Sequence, residues 1–140
     1  MPTETKQIAY KKGYKYQLNA DAVFYVDIYP RYDIITKFIE LTTEGKLTIK
    51  DGYAWDGPSG PTIDTKNFMR GSLVHDALYQ LMRMRKISLK YKELADVKLK
   101  DICLEDGMWK IRAGWVYKGL VVFGKGSTLP KNAKPTIFAP

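Results

Sequence analysis

The sequence predicts an α+β fold: an N-terminal antiparallel sheet packed against three C-terminal helices in a single domain. Three observations lead there. Up to Trp55 the chain reads as short runs rich in aromatic and β-branched residues, separated by Gly, Pro and Asp turns. No helical stretch of about 10–15 residues separates those runs, which rules against parallel βαβ units. From about Lys66 onward the apolar residues recur at helical spacing. A length of 140 residues and an apolar share of 45% suit one domain with one core.

In order, residues 1–6 are polar and read as a loose tail. Gln7–Leu18 turns at Gly13 and reads as strand, turn, strand, and Val23–Ile28 is a strand. A bend is expected over Arg31–Asp33, after Pro30. Phe38–Leu41 and Lys46–Ile49 alternate around Thr43-Glu44-Gly45, the clearest hairpin in the chain. Asp51-Gly52 marks a further turn before the short strand Tyr53–Trp55. Asp56–Thr62 (DGPSGPT) cannot be regular, because Pro58 and Pro61 remove donors and Gly57 and Gly60 free the backbone.

On a helical wheel Phe68, Gly71, Val74, His75, Leu78, Leu81 and Met82 share one arc, which turns His75 inward or toward a groove. Tyr79 follows one turn later on nearly the same face. Asp76 falls on the polar shoulder. Arg83, Arg85 and Lys86 crowd the helix end, where cations complement the dipole. Ser88 caps a second helix over Leu89–Asp106, whose inward arc holds Tyr91, Leu94, Ala95, Leu99, Ile102 and Cys103. Asp96 shares the azimuth of Cys103 to within about 20°, and an acid on a buried arc needs a partner or a task. Gly107 ends that helix. A third runs to Phe123 and is apolar on most sides, so it should be the most buried, with Gly114 and Gly119 marking close approach of another element. The domain ends near Gly124, and residues 125–140 form an extended Lys/Pro-rich tail anchored by Ile137-Phe138.

A net charge of +8 suits contact with an acidic partner or surface, or simply a solvated basic face. The single cysteine excludes an intramolecular disulfide and reads as core filler. No apolar run reaches the ~18 residues of a membrane span, and MPTETKQ lacks a signal-peptide core, so the product is expected in the cytoplasm where it is made, or inside a particle.

Chemistry concentrates between Asp56 and Asp96. An imidazole with carboxylates (His75, Asp76, Asp96, Asp56) can bind a divalent metal or act as an acid–base pair; the cofactor, if any, is unspecified by the residues. The alternative is a structural knot in which Asp96 accepts a hydrogen bond from His75. Ser59 as a nucleophile served by His75 fits less well, because Pro61 follows and the helix starts only near Lys66. Lys11–Tyr16 (KKGYKY) interleaves Lys and Tyr as single-strand binders do, although no nucleic-acid motif is present and a solvated strand face is favoured.

The order Trp55-Asp56-Gly57-Pro58-Ser59 with Pro61, then His75-Asp76-Ala77-Leu78-Tyr79, then Ala95-Asp96, then a Gly- and Tyr-containing final helix ending Phe123-Gly124, resembles a family of small phage and prophage proteins. That family is catalogued only as a domain of unknown function. The resemblance spans about Phe38–Phe123. It implies a phage origin and a polar cluster of Asp56, Ser59, His75, Asp76 and Asp96, but supplies no reaction. The expectation is a small hydrolase-like enzyme acting late in infection. His75, Asp76 and Asp96 would be its catalytic or metal-binding residues, and Asp56, Ser59 and Tyr79 would bind substrate. A virion structural or accessory (tail or neck) protein binding a partner subunit is the first alternative. A basic host-directed or nucleic-acid-binding protein is the second.

Overall fold

The computed structural model describes residues 3–12, 16–55, 66–108 and 110–123. These fall into two compact units, one within residues 1–57 and the other within 58–135. The class is α+β: antiparallel strands fill the first unit and helices the second. The loop Asp56–Thr62 and the tail 125–140 lie outside the described residues.

In the first unit β1 (Tyr10–Lys12), β2 (Tyr16–Leu18) and β7 (Ala54–Trp55) form one sheet, and β3 (Ala22–Tyr25), β6 (Lys46–Ile49), β5 (Ile39–Leu41) and β4 (Ile34–Ile35) form another in that order. The expected single sheet is therefore two. The β5–β6 hairpin pairs Ile39 with Ile49 and Leu41 with Leu47. Gly45 closes it at φ +84°, where a side chain would also collide with the Val26 carbonyl. The alternation places Ile39, Leu41, Leu47, Ile49 and Phe24 fully inside. β4 has only two residues, too short for periodicity to reveal. Tyr10, Tyr16, Tyr53 and Trp55 pack ring against ring on the smaller sheet, at centroid separations of 5.6–6.5 Å. Residues 4 and 5, expected in a loose tail, are held along β3: Thr5 N donates to the Val23 carbonyl at 2.6 Å, and Glu4 Oε2 accepts from Tyr25 N at 3.0 Å.

The second unit holds α1 (Lys66–Arg83), a 3-10 turn (Leu89–Tyr91) running into α2 (Lys92–Glu105), and α3 (Lys110–Phe123). Ser88 caps the 3-10 turn through its side chain, as the sequence indicates. α2 ends in a Schellman motif: Gly107 at φ +96° donates to the Leu104 carbonyl, and Met108 N donates to the Cys103 carbonyl. α1 ends with the same hydrogen-bond pattern, Arg85 N to Met82 and Lys86 N to Leu81, but here the left-handed position is Arg85 at φ +59°. Phe68, Leu99, Cys103, Met108 and Ala113 form the three-helix core, with Leu104 and Val116 packed against it.

Two expectations are corrected. Among the described residues the most buried helix is α1, in which every residue from Phe68 to Tyr79 except Asp76 is buried. α3 instead leaves Trp115 72% exposed. Close helix approach occurs at Gly71, where an added Cβ would lie 2.7 Å from Leu99 Cδ1, and not at Gly114, which has nothing within 4 Å. The surroundings of Gly119 lie outside the described residues.

Candidate functional site

The α1 register turns His75 and Tyr79, one helical turn apart, toward the α2 face that carries Asp96. The imidazole Nε2 lies 2.8 Å from Asp96 Oδ1. The Tyr79 hydroxyl donates to the same oxygen at 2.5 Å. Lys92, one turn before Asp96 on α2, donates to Oδ2 at 2.7 Å. Because the carboxylate can only accept, Nε2 must carry the proton of its bond. The His75 and Tyr79 rings pack with centroids 3.9 Å apart. The second imidazole nitrogen, Nδ1, faces Asp76 Oδ1 at 3.8 Å. Asp96 is fully buried and His75 is 5% exposed.

The electrostatics follow from charge balance. With a neutral imidazole, one ammonium faces two carboxylates; protonating His75 makes the group neutral. Burial disfavours the imidazolium, yet Asp76 and Asp96 outweigh it and raise the His75 pKa above its ordinary value. Burial likewise opposes the Asp96 carboxylate, but hydrogen bonds from His75, Lys92 and Tyr79 prevail and hold its pKa below the usual range. The Tyr79 hydroxyl is pushed up by burial and then by Asp96, so it stays a donor. Burial pushes the Cys103 thiol up to about 12, in keeping with core filler.

Of the sequence-predicted residues, the structure brings together His75, Asp96 and Tyr79, with Asp76 at the rim. Asp56 and Ser59 lie outside the described residues. Tyr79, expected to bind substrate, spends its hydroxyl on Asp96. Among the described residues no three His, Cys, Asp or Glu side chains are placed to hold a metal ion. His75, Asp76 and Asp96 fail as a set because the two carboxylates sit on opposite nitrogens of one ring.

Two contributors were missed. Lys92 reads as a solvent-side lysine until the spacing of four to Asp96 is noticed. Arg70 is given no role by the sequence pattern, and it is 2% exposed. Its Nε and Nη2 reach the two Asp106 oxygens at 3.0 and 2.9 Å, and Nη2 lies 3.2 Å from Glu105. This forked pair is a second polar tie between α1 and the end of α2. No buried side-chain nitrogen or oxygen among the described residues lacks a hydrogen-bond partner. A shallow concavity of about 500 Å³ is present at the α1–α2 turn, lined by Met82, Arg85, Lys86, Ile87, Ser88 and Leu89; the His75 cluster is no part of it.

No protein-family model matches the chain, and neither curated proteins nor solved structures yield a match. The likeness to phage proteins rests on its short motifs alone.

Proposed function

We propose that the chain is a non-enzymatic binding or accessory protein of a bacteriophage, made in the host cytoplasm and carried into the particle. In this reading the His75–Asp96 cluster is a structural clamp between α1 and α2. The observation that supports it is the enclosure of Asp96: both oxygens accept hydrogen bonds, from His75, Tyr79 and Lys92, in a fully buried position. A general base needs a lone pair within reach of a substrate proton. Neither Asp96 nor the engaged His75 nitrogen offers one. Tyr32 and Ile35 in the first unit and Trp115 in the second stand in solvent and offer contact area to a partner. The phage origin is supported by the motif resemblance.

The test is to purify particles from the strain that carries the gene and quantify the chain by mass spectrometry. Stoichiometric presence supports an accessory component; absence from particles while the chain is abundant in lysate overturns it.

The hydrolase-like reading keeps one observation in its favour. A buried carboxylate on Nε2 would leave His75 Nδ1, beside the half-buried Asp76, as the working nitrogen of a dyad. Substituting Asp76 with Asn would then abolish turnover, whereas the clamp reading expects no turnover to lose.

A further inference from the structure

We propose that the α1–α2 corner, residues 83–92, is a binding surface for single-stranded nucleic acid, with the phosphates on Arg85, Lys86 and Lys90 and a base against the exposed Leu89 between them.

The charge of the protein is unevenly placed. Described residues of the first unit carry seven Lys/Arg and seven Asp/Glu, whereas those of the helical unit carry twelve against six. The acids of the helical unit are also largely committed. Asp96 is buried in the clamp, Asp106 and Glu105 hold Arg70, and Asp76 faces His75. Outside the described residues the chain has only two further carboxylates, Asp56 and Asp64. The stretch 83–92 (RMRKISLKYK) holds five cations and no acid. Lys92 belongs to the clamp. Arg85, Lys86 and Lys90 are exposed and pair with no carboxylate among the described residues.

Two more features give this patch the form of a site. It is concave: Leu89, 42% exposed, lines a hollow of about 500 Å³ together with the nearly covered Met82 and Ile87 and with Arg85, Lys86 and Ser88. An exposed apolar side chain among cations suits a nucleotide, with its flat base and its phosphate, and an unpaired strand is the form that can turn a base into it. The other feature is backbone strain. Arg85 occupies the left-handed position of a helix-ending motif that α2 fills with Gly107. An arginine there costs on the order of 1 kcal/mol over glycine. Strain of this kind marks functional positions, and a cation needed at that place accounts for it.

This inference deepens the binding-protein reading by naming a surface and a ligand class, and the two fail separately. Absence from particles would refute the accessory role and leave this surface standing. The test is fluorescence anisotropy of the full chain with a labelled single-stranded oligonucleotide of about 20 nucleotides, a span that covers more than one binding site. Three phosphate contacts predict a fall in affinity of about twenty-fold between 50 and 200 mM salt. R85G should bind more weakly yet melt higher, and R85G/K86A/K90A should lose the salt dependence. K86E/K90E, which leaves the Arg85 backbone alone, should lose binding as well. The proposal is overturned if the wild-type chain does not bind, if these variants bind like wild type, or if phosphatidylserine vesicles capture the chain in preference to the oligonucleotide.

Discussion

His75 and Asp96, twenty-one residues apart in the chain, meet at 2.8 Å between Nε2 and Oδ1 and so tie α1 to α2. The pair is closed by Tyr79 on the same oxygen and by Lys92 on the other.

Breaking this tie from the acid side should be severe. Asp96→Ala leaves a buried imidazole, a tyrosine hydroxyl and an ammonium without their acceptor, and should cost about 3–5 kcal/mol. Tyr79→Phe removes one hydrogen bond to a charged acceptor and should cost about 1.5–3 kcal/mol. Urea denaturation of both variants checks the ranking; equal or negligible losses would contradict the clamp.

Stability should depend on pH on both sides of a plateau. The His75 pKa is raised by folding, so its contribution is complete below about 6.5, the unfolded value, and is lost as pH climbs through the higher folded value. The Asp96 pKa is lowered, so its contribution is complete above about 3.9 and is lost as pH falls through the lower folded value. The window in which both act is therefore about pH 4 to 6.5. Thermal denaturation across pH should find the two flanks, and His75→Gln should flatten the alkaline one.

Two helical glycines should respond with opposite sign. Gly71→Ala drives a Cβ to 2.7 Å from Leu99 Cδ1 and 3.1 Å from the Leu99 carbonyl, and overpacking of this kind costs about 1–3 kcal/mol. Gly114→Ala enters open space and should gain up to about 1 kcal/mol of helix propensity. Melting temperatures of the two single variants decide it.

Trp115→Ser should leave stability within about 0.5 kcal/mol, because the ring is 72% exposed. A large loss in the isolated chain would mean that α3 is packed differently.

How far the sequence could be read depends on what each residue's pattern encodes. The β5–β6 hairpin was legible because alternation and Gly45 both specify it. The inward azimuth of Asp96 was legible from its sharing a face with Cys103, but helical geometry names a face and not a partner, so Lys92 and Tyr79 were assigned elsewhere. Arg70 was illegible because its burial depends on Asp106, thirty-six residues away, which no local period records. α3 was misjudged because an apolar composition was equated with burial, whereas Trp115 stands in solvent. The division of the strands between two sheets rests on long-range pairings such as Gln17 with Ala54, which local alternation does not specify.

The most direct test of the clamp is an NMR titration of His75, the sole histidine, with and without Zn²⁺, Mn²⁺ or Mg²⁺. The account predicts an imidazole whose pKa lies above about 6.5, the ordinary value, and whose resonances ignore the metals. A pKa at or below that value, or a shift or broadening on metal addition at low metal concentration, would contradict a closed structural cluster and return His75 to catalysis or metal binding.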